Sequence, residues 1–409
     1  MHVPRRFVRS DWGGTETAVL QMCRHVQAAG HQVEIACPRA LADNDAEQID
    51  GISVRRYPYF YPYVGLSDDA RDKMDRKGGN LFSFQLMKAL RREPDVDLLH
   101  LHAIKRLGGI GRHVARARGI PYVVSLHGGV HDVPTEEAAS WVEPTKGALE
   151  WGKLLGWWVG SRRVLDDAAA ILCNGPCERD ATQAALPNQR VEYMPLGVEL
   201  EHFRGGDSAR FRAAHDLHPT RTTLLCLARI DVQKNQLLLI DAAAELVREG
   251  LDFQVVMVGP VTNDDYCQKV DRRIEELGLG EVLRRLPPLP AEGDHLRDAF
   301  AAADVFVLPS QHEPFGLVIL EAWAAGRPVV ASRVGGIPAF VTDETNGLLF
   351  TSGAKDELVE RLRRLVVDTE ARQALADAGR REAEARFTWE HATKQLLSVY
   401  EDVTRVRAA

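Results

Sequence analysis

Two glutamates, Glu313 and Glu321, carry the most distinctive chemistry of the sequence, in the segment 305–322 (VFVLPSQHEPFGLVILEA). A buried strand opens this segment, and a helix is expected to begin near Gly316. Glu313, Leu317 and Glu321 are four residues apart, so both carboxylates are predicted to face one crevice. A carboxylate accepts two hydrogen bonds and suits a vicinal diol, and the helix start favours an anion. The alternative is a helix-dipole role for Glu313 and a solvated Glu321; the strand–loop–helix context favours a site.

Two cations follow another predicted strand, in the segment 226–235 (CLARIDVQKN). Arg229 is expected at the end of the strand and Lys234 near the start of the next helix. Arginine can bind phosphate oxygens with two hydrogen bonds, and lysine acts as a mobile point charge. Together they could hold a diphosphate without a metal ion. The alternative is a surface loop that carries ordinary solvated cations.

A glycine pair, Gly13-Gly14, opens the first predicted helix in the segment 10–17 (SDWGGTET). Such a loop lets backbone N–H groups approach a phosphate. The segment matches neither the Walker loop nor the G-x-G-x-x-G dinucleotide motif. Taken alone, a Gly-Gly pair is more often a simple turn than a binding loop.

Histidines end two further predicted strands, in LLHLHA and VVSLHGG. His127 is followed by Gly128 and Gly129, which leave room for a ligand, so a site role is predicted for it. His102 ends the other strand and shares a face with His100. One of these two is expected to be a core histidine with its hydrogen bonds satisfied.

The elements that must position these residues are short apolar runs alternating with helix-period segments. That alternation predicts parallel sheets with right-handed crossovers, in an α/β fold of two doubly wound, Rossmann-like domains. The domains are predicted at 1–200 and 201–386, and a C-terminal helix within 387–409 is expected to return to the first domain. The predicted strands are 32–38, 97–103, 122–128, 169–175, 191–197, 222–230, 254–260, 305–310, 328–334 and 347–351. The predicted helices are 15–29, 81–92, 107–118, 234–249, 264–277, 315–326, 354–385 and 388–404.

Composition excludes several classes of protein. The chain has 409 residues, 45% of them hydrophobic and 27% charged, which is ordinary for a globular protein. A formal net charge of -7 argues against a nucleic-acid partner. The six scattered cysteines are typical of a reduced, cytoplasmic protein, and no apolar run reaches the ~18 residues of a membrane span. The very short first strand, 1–4, leads us to expect that the natural start lies a few residues upstream.

The ordered set of motifs resembles family 4 of the retaining glycosyltransferases, whose signature is E-x7-E. The resemblance rests on EPFGLVILE together with the glycine loop at 13–14 and the strand end at His127. It extends over nearly the whole chain through MPLGVELEHF, ARIDVQKN, AADVFVLPS, GGIPAFV and RFTWE. The family usually has Asn where Leu196 stands, and its nucleotide-proximal glycine cluster is reduced here to Gly259.

The resemblance implies a GT-B fold whose two domains face each other across a cleft, with a nucleotide-sugar donor, a UDP- or GDP-sugar, held mainly by the second domain. It implies no resident cofactor and no metal. In the second domain, the resemblance implies that Arg229 and Lys234 neutralise the donor diphosphate, that Glu321 binds the ribose hydroxyls and that Glu313 binds the transferred sugar. It also implies that the backbone of Phe315, Gly316 and Leu317 faces the sugar and phosphate, and that the base lies near Gly259 and 288–290. In the first domain, it implies that Gly13 and Gly14 lie in the loop that approaches the phosphates and that His127 lies beside the reacting carbon.

The expected reaction is transfer of a hexosyl group, with retention, to a carbohydrate, lipid-linked or small-molecule acceptor on the first domain. Stabilising the departing diphosphate is the main task, and a donor phosphate oxygen helps to take the acceptor proton. Hydrolase chemistry would use the two carboxylates differently. The rival interpretations are a nucleotide-sugar epimerase on the same fold and a catalytically silent nucleotide-sugar-binding protein.

Two aromatic segments leave alternatives open. The segment 150–163 (EWGKLLGWWVGSRR) mixes tryptophans with cations; a core-packed helix is favoured, and peripheral contact with the inner face of a membrane is the alternative. The tyrosine-rich run 56–63 is expected either to stack on acceptor sugars or to form a packed loop. The acid pair Asp264-Asp265 is assigned to a helix start rather than to a metal, and zinc is not expected at Cys173 and Cys177.

Overall fold

The computed structural model describes residues 1–76, 78–128, 143–290 and 293–408. The chain divides into two compact units: unit 1 is Met1–Pro195 with Trp389–Ala409, and unit 2 is Leu196–Thr388. The sequence prediction set the division at residue 200. Gly129, which follows the predicted site residue His127, lies outside the described residues.

Unit 1 is built on an eight-stranded sheet in the order β10-β9-β7-β6-β1-β2-β4-β3, parallel except for the antiparallel edge pair β3–β4. A separate antiparallel pair joins β5 to β8. The strands are His2–Val3 (β1), Glu34–Pro38 (β2), Ala46–Ile49 (β3), Ile52–Tyr57 (β4), Tyr63–Val64 (β5), Leu99–Leu101 (β6), Tyr122–Leu126 (β7), Leu149–Glu150 (β8), Ala170–Cys173 (β9) and Val191–Tyr193 (β10).

The helices of unit 1 alternate with these strands. The central strands β6, β7 and β9 are buried along their whole length, as a parallel sheet covered on both faces requires. The helices are Gly14–Ala28 (α1), Asp68–Arg76 (α2), Phe84–Arg92 (α3), Lys105–Arg118 (α4), Lys153–Val159 (α5) and Pro176–Ala185 (α6).

Unit 2 contains a six-stranded, wholly parallel sheet in the order β13-β12-β11-β14-β15-β16. The strand order reverses next to β11, and ligands of such sheets bind at the carboxyl ends of the strands near that point. The strands are Thr222–Leu227 (β11), Phe253–Val258 (β12), Leu283–Leu286 (β13), Val305–Leu308 (β14), Val329–Ser332 (β15) and Leu348–Phe350 (β16).

The helices of unit 2 bury the sheet on both sides, and the last helix of the chain lies in unit 1. There the Tyr400 hydroxyl lies 2.5 Å from His100 Nδ1. The helices are Leu200–Arg204 (α7), Ser208–Ala214 (α8), Gln236–Arg248 (α9), Asp264–Glu276 (α10), His295–Ala302 (α11), Leu317–Ala324 (α12), Lys355–Val367 (α13), Thr369–Arg386 (α14) and Trp389–Ala408 (α15).

The predicted fold class of parallel, doubly wound α/β domains is confirmed, and every predicted strand overlaps an observed one. The predicted helix 354–385 is wrong as a single element: Asp368 separates α13 from α14, and its side chain caps α14 by accepting a hydrogen bond from the Ala371 amide at 2.9 Å. None of the helices in the described chain combines the length and apolarity needed to cross a bilayer.

Candidate active site

The loop after β11 is folded tightly enough to present two cations. The Asp231 carboxylate accepts a hydrogen bond from the Gln233 amide at 3.1 Å, which starts a single 3-10 turn over Val232–Lys234. Asn235 then adopts a left-handed conformation, with φ of 53°, and α9 begins. Asn tolerates that conformation better than most residues, so Lys234 is held just before the helix.

Lys234 and Glu313 form the central ion pair of unit 2, with Lys234 Nζ 2.6 Å from Glu313 Oε2. Their side chains are only 13% and 11% exposed. The Ser310 hydroxyl lies 3.4 Å from the same carboxylate oxygen. Because the pair is largely shielded from water, its attraction is stronger than that of a surface pair, and each charge depends on the other.

Gln233 connects this pair to Arg229. Its side-chain oxygen accepts a hydrogen bond from the Arg229 guanidinium at 3.0 Å, and its amide nitrogen donates to the His312 carbonyl at 3.0 Å. The Gln311 amide donates to the Gln233 carbonyl at 2.8 Å, which joins the loops after β11 and β14. The structure therefore brings Arg229, Lys234 and Glu313 together at the carboxyl edge of the sheet. Gln233 itself was missed, because glutamine carries no chemical signal in a sequence.

Two further glycines, Gly335 and Gly336, shape the loop that carries Glu313. A Cβ on Gly335, whose φ is +52°, would lie 2.0 Å from the Glu313 carbonyl oxygen, and one on Gly336 would lie 2.2 Å from the Pro314 oxygen. The Gly336 amide also donates to the Glu313 carbonyl at 3.0 Å. The sequence prediction used these glycines only for the family resemblance, although a Gly-Gly pair after a strand is itself a signal of close backbone approach.

The start of α12 places backbone, rather than side chains, at this edge. Gly316 caps the helix with φ of 95°, a conformation that favours glycine, and Leu317 is its first residue. The N–H groups of a first helical turn lack partners within the helix, so they can bind an anion. The Phe315 ring is buried and packs 5.2 Å from the Phe340 ring. The Phe315 side chain is therefore occupied by packing, and the predicted role of its backbone at a ligand stays a prediction.

Glu321 lies further along α12 and is partly buried. Burial raises the pKa of its carboxyl group to about 7. Within the described chain, its side chain has neither a hydrogen bond nor an ion pair. A carboxylate of this kind is available for two ligand hydroxyls, whose hydrogen bonds would favour the ionised form.

Gly259 marks close contact between the loops after β12 and β11. A Cβ there would lie 2.0 Å from the Ala228 carbonyl oxygen, so the two strand ends meet directly beside Arg229. Thr262 completes the contact through a hydrogen bond of 2.8 Å from its hydroxyl to Asp231. Gly259 is thus required by packing, and its predicted role near the base stays a prediction.

In unit 1, the predicted Gly13-Gly14 loop forms the start of α1. Glu16 accepts a hydrogen bond from the Gly13 amide at 3.1 Å and another from Arg6 Nε at 3.2 Å. A Cβ on Gly14 would meet no atom within 4 Å. The helix start is therefore held from below by Glu16, and the side of Gly14 where a Cβ would lie is unobstructed.

His127 follows β7 and begins a chain of hydrogen-bonded imidazoles whose next members, His102 and His2, are buried. Its Nε2 lies 2.9 Å from His102 Nδ1, and His102 Nε2 lies 2.9 Å from His2 Nδ1. The Asn174 amide nitrogen lies 3.2 Å from His127 Nδ1. Burial lowers the pKa of His127 to about 4, so its ring is neutral near pH 7. Both ring nitrogens are thus engaged within unit 1, and a position beside a reacting carbon stays a prediction.

His100 completes this buried histidine cluster, which consists of His2, His100, His102 and His127. The two ring nitrogens of His100 lie 2.5 Å from the Tyr400 hydroxyl and 2.7 Å from the Ser125 hydroxyl, which confirms the expectation of a satisfied core histidine. Burial also lowers the pKa of His2, His100 and His102. Those three could offer nitrogens within 4.8 Å of one another to a metal ion. Their mutual and neighbouring hydrogen bonds account for the cluster in its neutral form.

The structure also describes the tyrosine-rich run and the acid pair named in the sequence analysis. In the run 56–63, the Tyr59 and Tyr61 hydroxyls donate to the Asp75 carboxylate at 2.6 and 2.8 Å, as a packed loop requires. Asp264 and Asp265 begin α10, which Asn263 caps.

A pocket with a volume of about 1000 Å³ lies in unit 1 beside the residues that precede β2, β4 and β6. It is lined by the amino edge of the sheet, away from the strand ends that carry His127. Because ligands of parallel α/β sheets bind at the carboxyl edge, this pocket does not belong to the candidate site.

Comparison with known proteins identifies the family of the chain. Residues 207–382 match the family model of glycosyl transferases group 1, and residues 13–197 match that of a glycosyl transferase 4-like domain. Two relatives named D-inositol 3-phosphate glycosyltransferase, from Catenulispora acidiphila and Saccharomonospora viridis, are each 32% identical. The alignments cover 95% and 96% of this chain and 91% and 90% of theirs.

Solved structures share the fold. Sucrose-phosphate synthase from Thermosynechococcus elongatus superposes with a TM-score of 0.76 at 22% identity, covering 99% of both chains. Anabaena HepE, solved in complex with UDP-glucose, superposes with a TM-score of 0.73 at 18% identity, covering 98% of this chain and 99% of its own. The chain therefore belongs to family 4 of the glycosyltransferases, has the GT-B fold, and is an enzyme of the hexosyltransferase type.

Proposed function

We propose that the chain transfers a hexosyl group, with retention of configuration, from a UDP- or GDP-sugar to an acceptor hydroxyl. The bond between C1 and the diphosphate oxygen breaks, and a bond between C1 and the acceptor oxygen forms on the same face. The acceptor proton passes to a phosphate oxygen of the departing nucleoside diphosphate. Atoms and charge balance across the transfer. Negative charge develops on the leaving diphosphate, so the main task of the protein is to stabilise that group.

The ion pair of Lys234 with Glu313, beside Arg229, is the observation that carries this proposal. Arg229 and Lys234 supply positive charge for the diphosphate, which is the reason for proposing a reaction that needs no metal and no cofactor. Glu313 binds hydroxyls of the transferred sugar, and Glu321 binds those of the ribose. The Gly316 and Leu317 amides, at the start of α12, add donors for the phosphate.

The acceptor is proposed to bind on unit 1, near Gly14 and His127. Among small molecules, D-inositol 3-phosphate is the first candidate, since relatives that cover most of this chain are named for it. Carbohydrate and lipid-linked acceptors are the other classes proposed. The six cysteines are thiols rather than disulfides, five of them buried, which supports a reducing, cytoplasmic location.

The test is release of nucleoside diphosphate from a panel of UDP- and GDP-sugars in the presence of EDTA, with and without candidate acceptors. We expect release that requires both substrates, and an axial or equatorial product anomer that matches the donor by NMR. Conversion of the donor alone into its epimer would favour an epimerase. Tight donor binding without turnover over any acceptor would favour a silent binding protein.

A further inference from the structure

Unit 1 exposes a group of large apolar side chains, here called the aromatic face. Their exposed fractions range from 44% for Trp158 to 83% for Trp157. In unit 2, the large apolar side chains exposed among the described residues are four valines, at positions far apart in the sequence. A contiguous patch of large apolar side chains exposed to water usually marks a binding surface. The aromatic face consists of Val64, Phe84, Leu149, Trp151, Leu154, Trp157 and Trp158.

Ring contacts make the aromatic face continuous. Phe60 stacks on Trp151 and on Phe84, with ring centroids 5.9 Å apart in both cases. Phe84 continues the contact to Trp158 at 6.4 Å. At the other end, Val64 pairs with Leu149 in the β5–β8 ladder. Side chains from three stretches of chain, 60–64, the start of α3 and 149–158, therefore lie together rather than as scattered exposed residues.

The short helix α5 turns its largest apolar side chains outward. Gly156 and Val159 are buried, whereas Leu154, Trp157 and Trp158 are exposed at helical spacing on the opposite side. The favoured sequence interpretation, a core-packed helix, is therefore wrong for these three side chains. The error has a physical cause: periodicity identifies an apolar stripe but not which side of a seven-residue helix meets the core.

Buried contacts hold the aromatic face in place. The Arg106 guanidinium donates to the Gly152 carbonyl at 3.0 Å and to the Asn80 carbonyl at 2.6 Å, and it pairs with Glu150. The Trp151 amide donates to the Pro62 carbonyl at 3.1 Å. The pairing with Arg106 also neutralises the one carboxylate of the segment 150–163. The exposed rings thus stand on a fixed base.

Unpaired cations lie in the same segments as the aromatic face. On α3, Lys88, Arg91 and Arg92 follow Phe84 at spacings of four, seven and eight residues, which places them on its side of the helix. Burial lowers the pKa of His113, and the positive charge of Arg91 lowers it further, so Arg91 lies near His113. The His113 ring in turn lies 5.3 Å from the Trp158 ring. Within the described chain, none of five exposed cations has a side-chain partner: Lys88, Arg91, Arg92, Lys153 and Arg162.

We propose that the aromatic face docks on the surface of a membrane that contains anionic lipids. Tryptophan and phenylalanine rings favour the boundary between headgroups and acyl chains, and the cations around them match lipid phosphates. Each unpaired cation near an anionic membrane surface adds to the attraction, so charge and apolar contact act together. The proposal concerns a surface of unit 1 and holds whichever acceptor class the enzyme uses.

The test is sedimentation of the full chain with vesicles of phosphatidylcholine, with and without phosphatidylglycerol. We expect binding to the anionic vesicles only, weakened by salt, with a blue shift of tryptophan emission. The double variant L154S/W157S should weaken binding at least ~10-fold, because partition scales with the apolar area inserted. Replacing Lys88, Arg91 and Lys153 by Ser should weaken it ~100-fold at low salt, at roughly fivefold per cation.

Matched controls separate docking from general effects. The variant V247S/V367S removes exposed apolar side chains of unit 2, and K269S/R381S removes exposed cations there; both should bind vesicles as the wild type does. Unchanged melting curves and donor turnover in L154S/W157S would show that it is folded. Equal binding of that variant and the wild type, or no binding by either, would overturn the proposal. A wild-type dimer that L154S/W157S dissociates would overturn it in favour of a second copy.

Discussion

Replacing Lys234 by Met tests the shielded ion pair of unit 2. The change leaves the Glu313 carboxylate, only 11% exposed, without its partner at 2.6 Å. A surface pair is worth about 0–1 kcal/mol, and removing one partner of a buried pair costs about 3–5 kcal/mol. For side chains exposed by 13% and 11%, we expect K234M to lower the free energy of unfolding by about 2–4 kcal/mol. At roughly 2–4 °C per kcal/mol, the melting temperature should fall by about 4–16 °C.

The measurements are urea unfolding, thermal melting and donor kinetics of K234M, E313Q and the double variant. The double variant should recover about 1–3 kcal/mol relative to the sum of the single changes, because it no longer buries an unpaired charge. The control K355M removes a more exposed pair, Lys355–Glu245, and should cost at most about 1 kcal/mol. At a temperature where K234M is folded, its kcat/KM should fall ~10²–10³-fold. An unchanged kcat/KM, or a stability loss equal to that of K355M, would refute the reasoning.

Four further predictions follow from burial and backbone geometry. Because burial raises the pKa of Glu321 to about 7, donor affinity by calorimetry should rise as pH rises through that value, whereas Glu321→Gln should show a flat profile. Because this pKa is higher in the folded than in the unfolded chain, the free energy of unfolding should fall as pH rises towards about 7, and above that pH Glu321→Gln should be more stable than the wild type in urea unfolding. The buried histidine cluster has lowered pKa values, so the unfolded chain binds more protons between about pH 6.5 and 4 and stability should fall on acidification; a flat urea-unfolding profile would contradict this. Gly335→Ala should lower the melting temperature more than Gly353→Ala, because both glycines have positive φ but only at Gly335 does the new Cβ meet backbone.

Sequence patterns predicted the parallel core well and its edges poorly. Fully buried strands such as β12 and β14 read as continuous apolar runs, which set them apart from neighbouring helices. The edge strand β3, Ala46–Ile49, has two polar residues between its apolar ends, and β13 has two arginines between its own, so neither produces that pattern. Their pairing depends on neighbours distant in the chain rather than on local preference.

The candidate site shows the same limit. Lys234 and Glu313 were predicted to serve one ligand because both follow strands of one sheet, but their direct contact joins residues 79 positions apart. Sequence alone assigned them to different parts of the donor and left no signal for the pair. The aromatic face was ambiguous for a related reason: the exposure of Trp157 depends on which side of α5 packs on unit 1, the side of Gly156 and Val159, and no local pattern reports that choice.

The most direct test of the central claim compares the binding of UDP with that of UDP-sugar, or of GDP with GDP-sugar, by titration calorimetry. If cations hold the diphosphate and acids hold the rings, R229M, K234M and E321Q should weaken both ligands. E313Q should weaken only the nucleotide sugar and leave the nucleotide unchanged or tighter, because it frees Lys234. Equal affinity of all four variants and the wild type for both ligands would contradict the account.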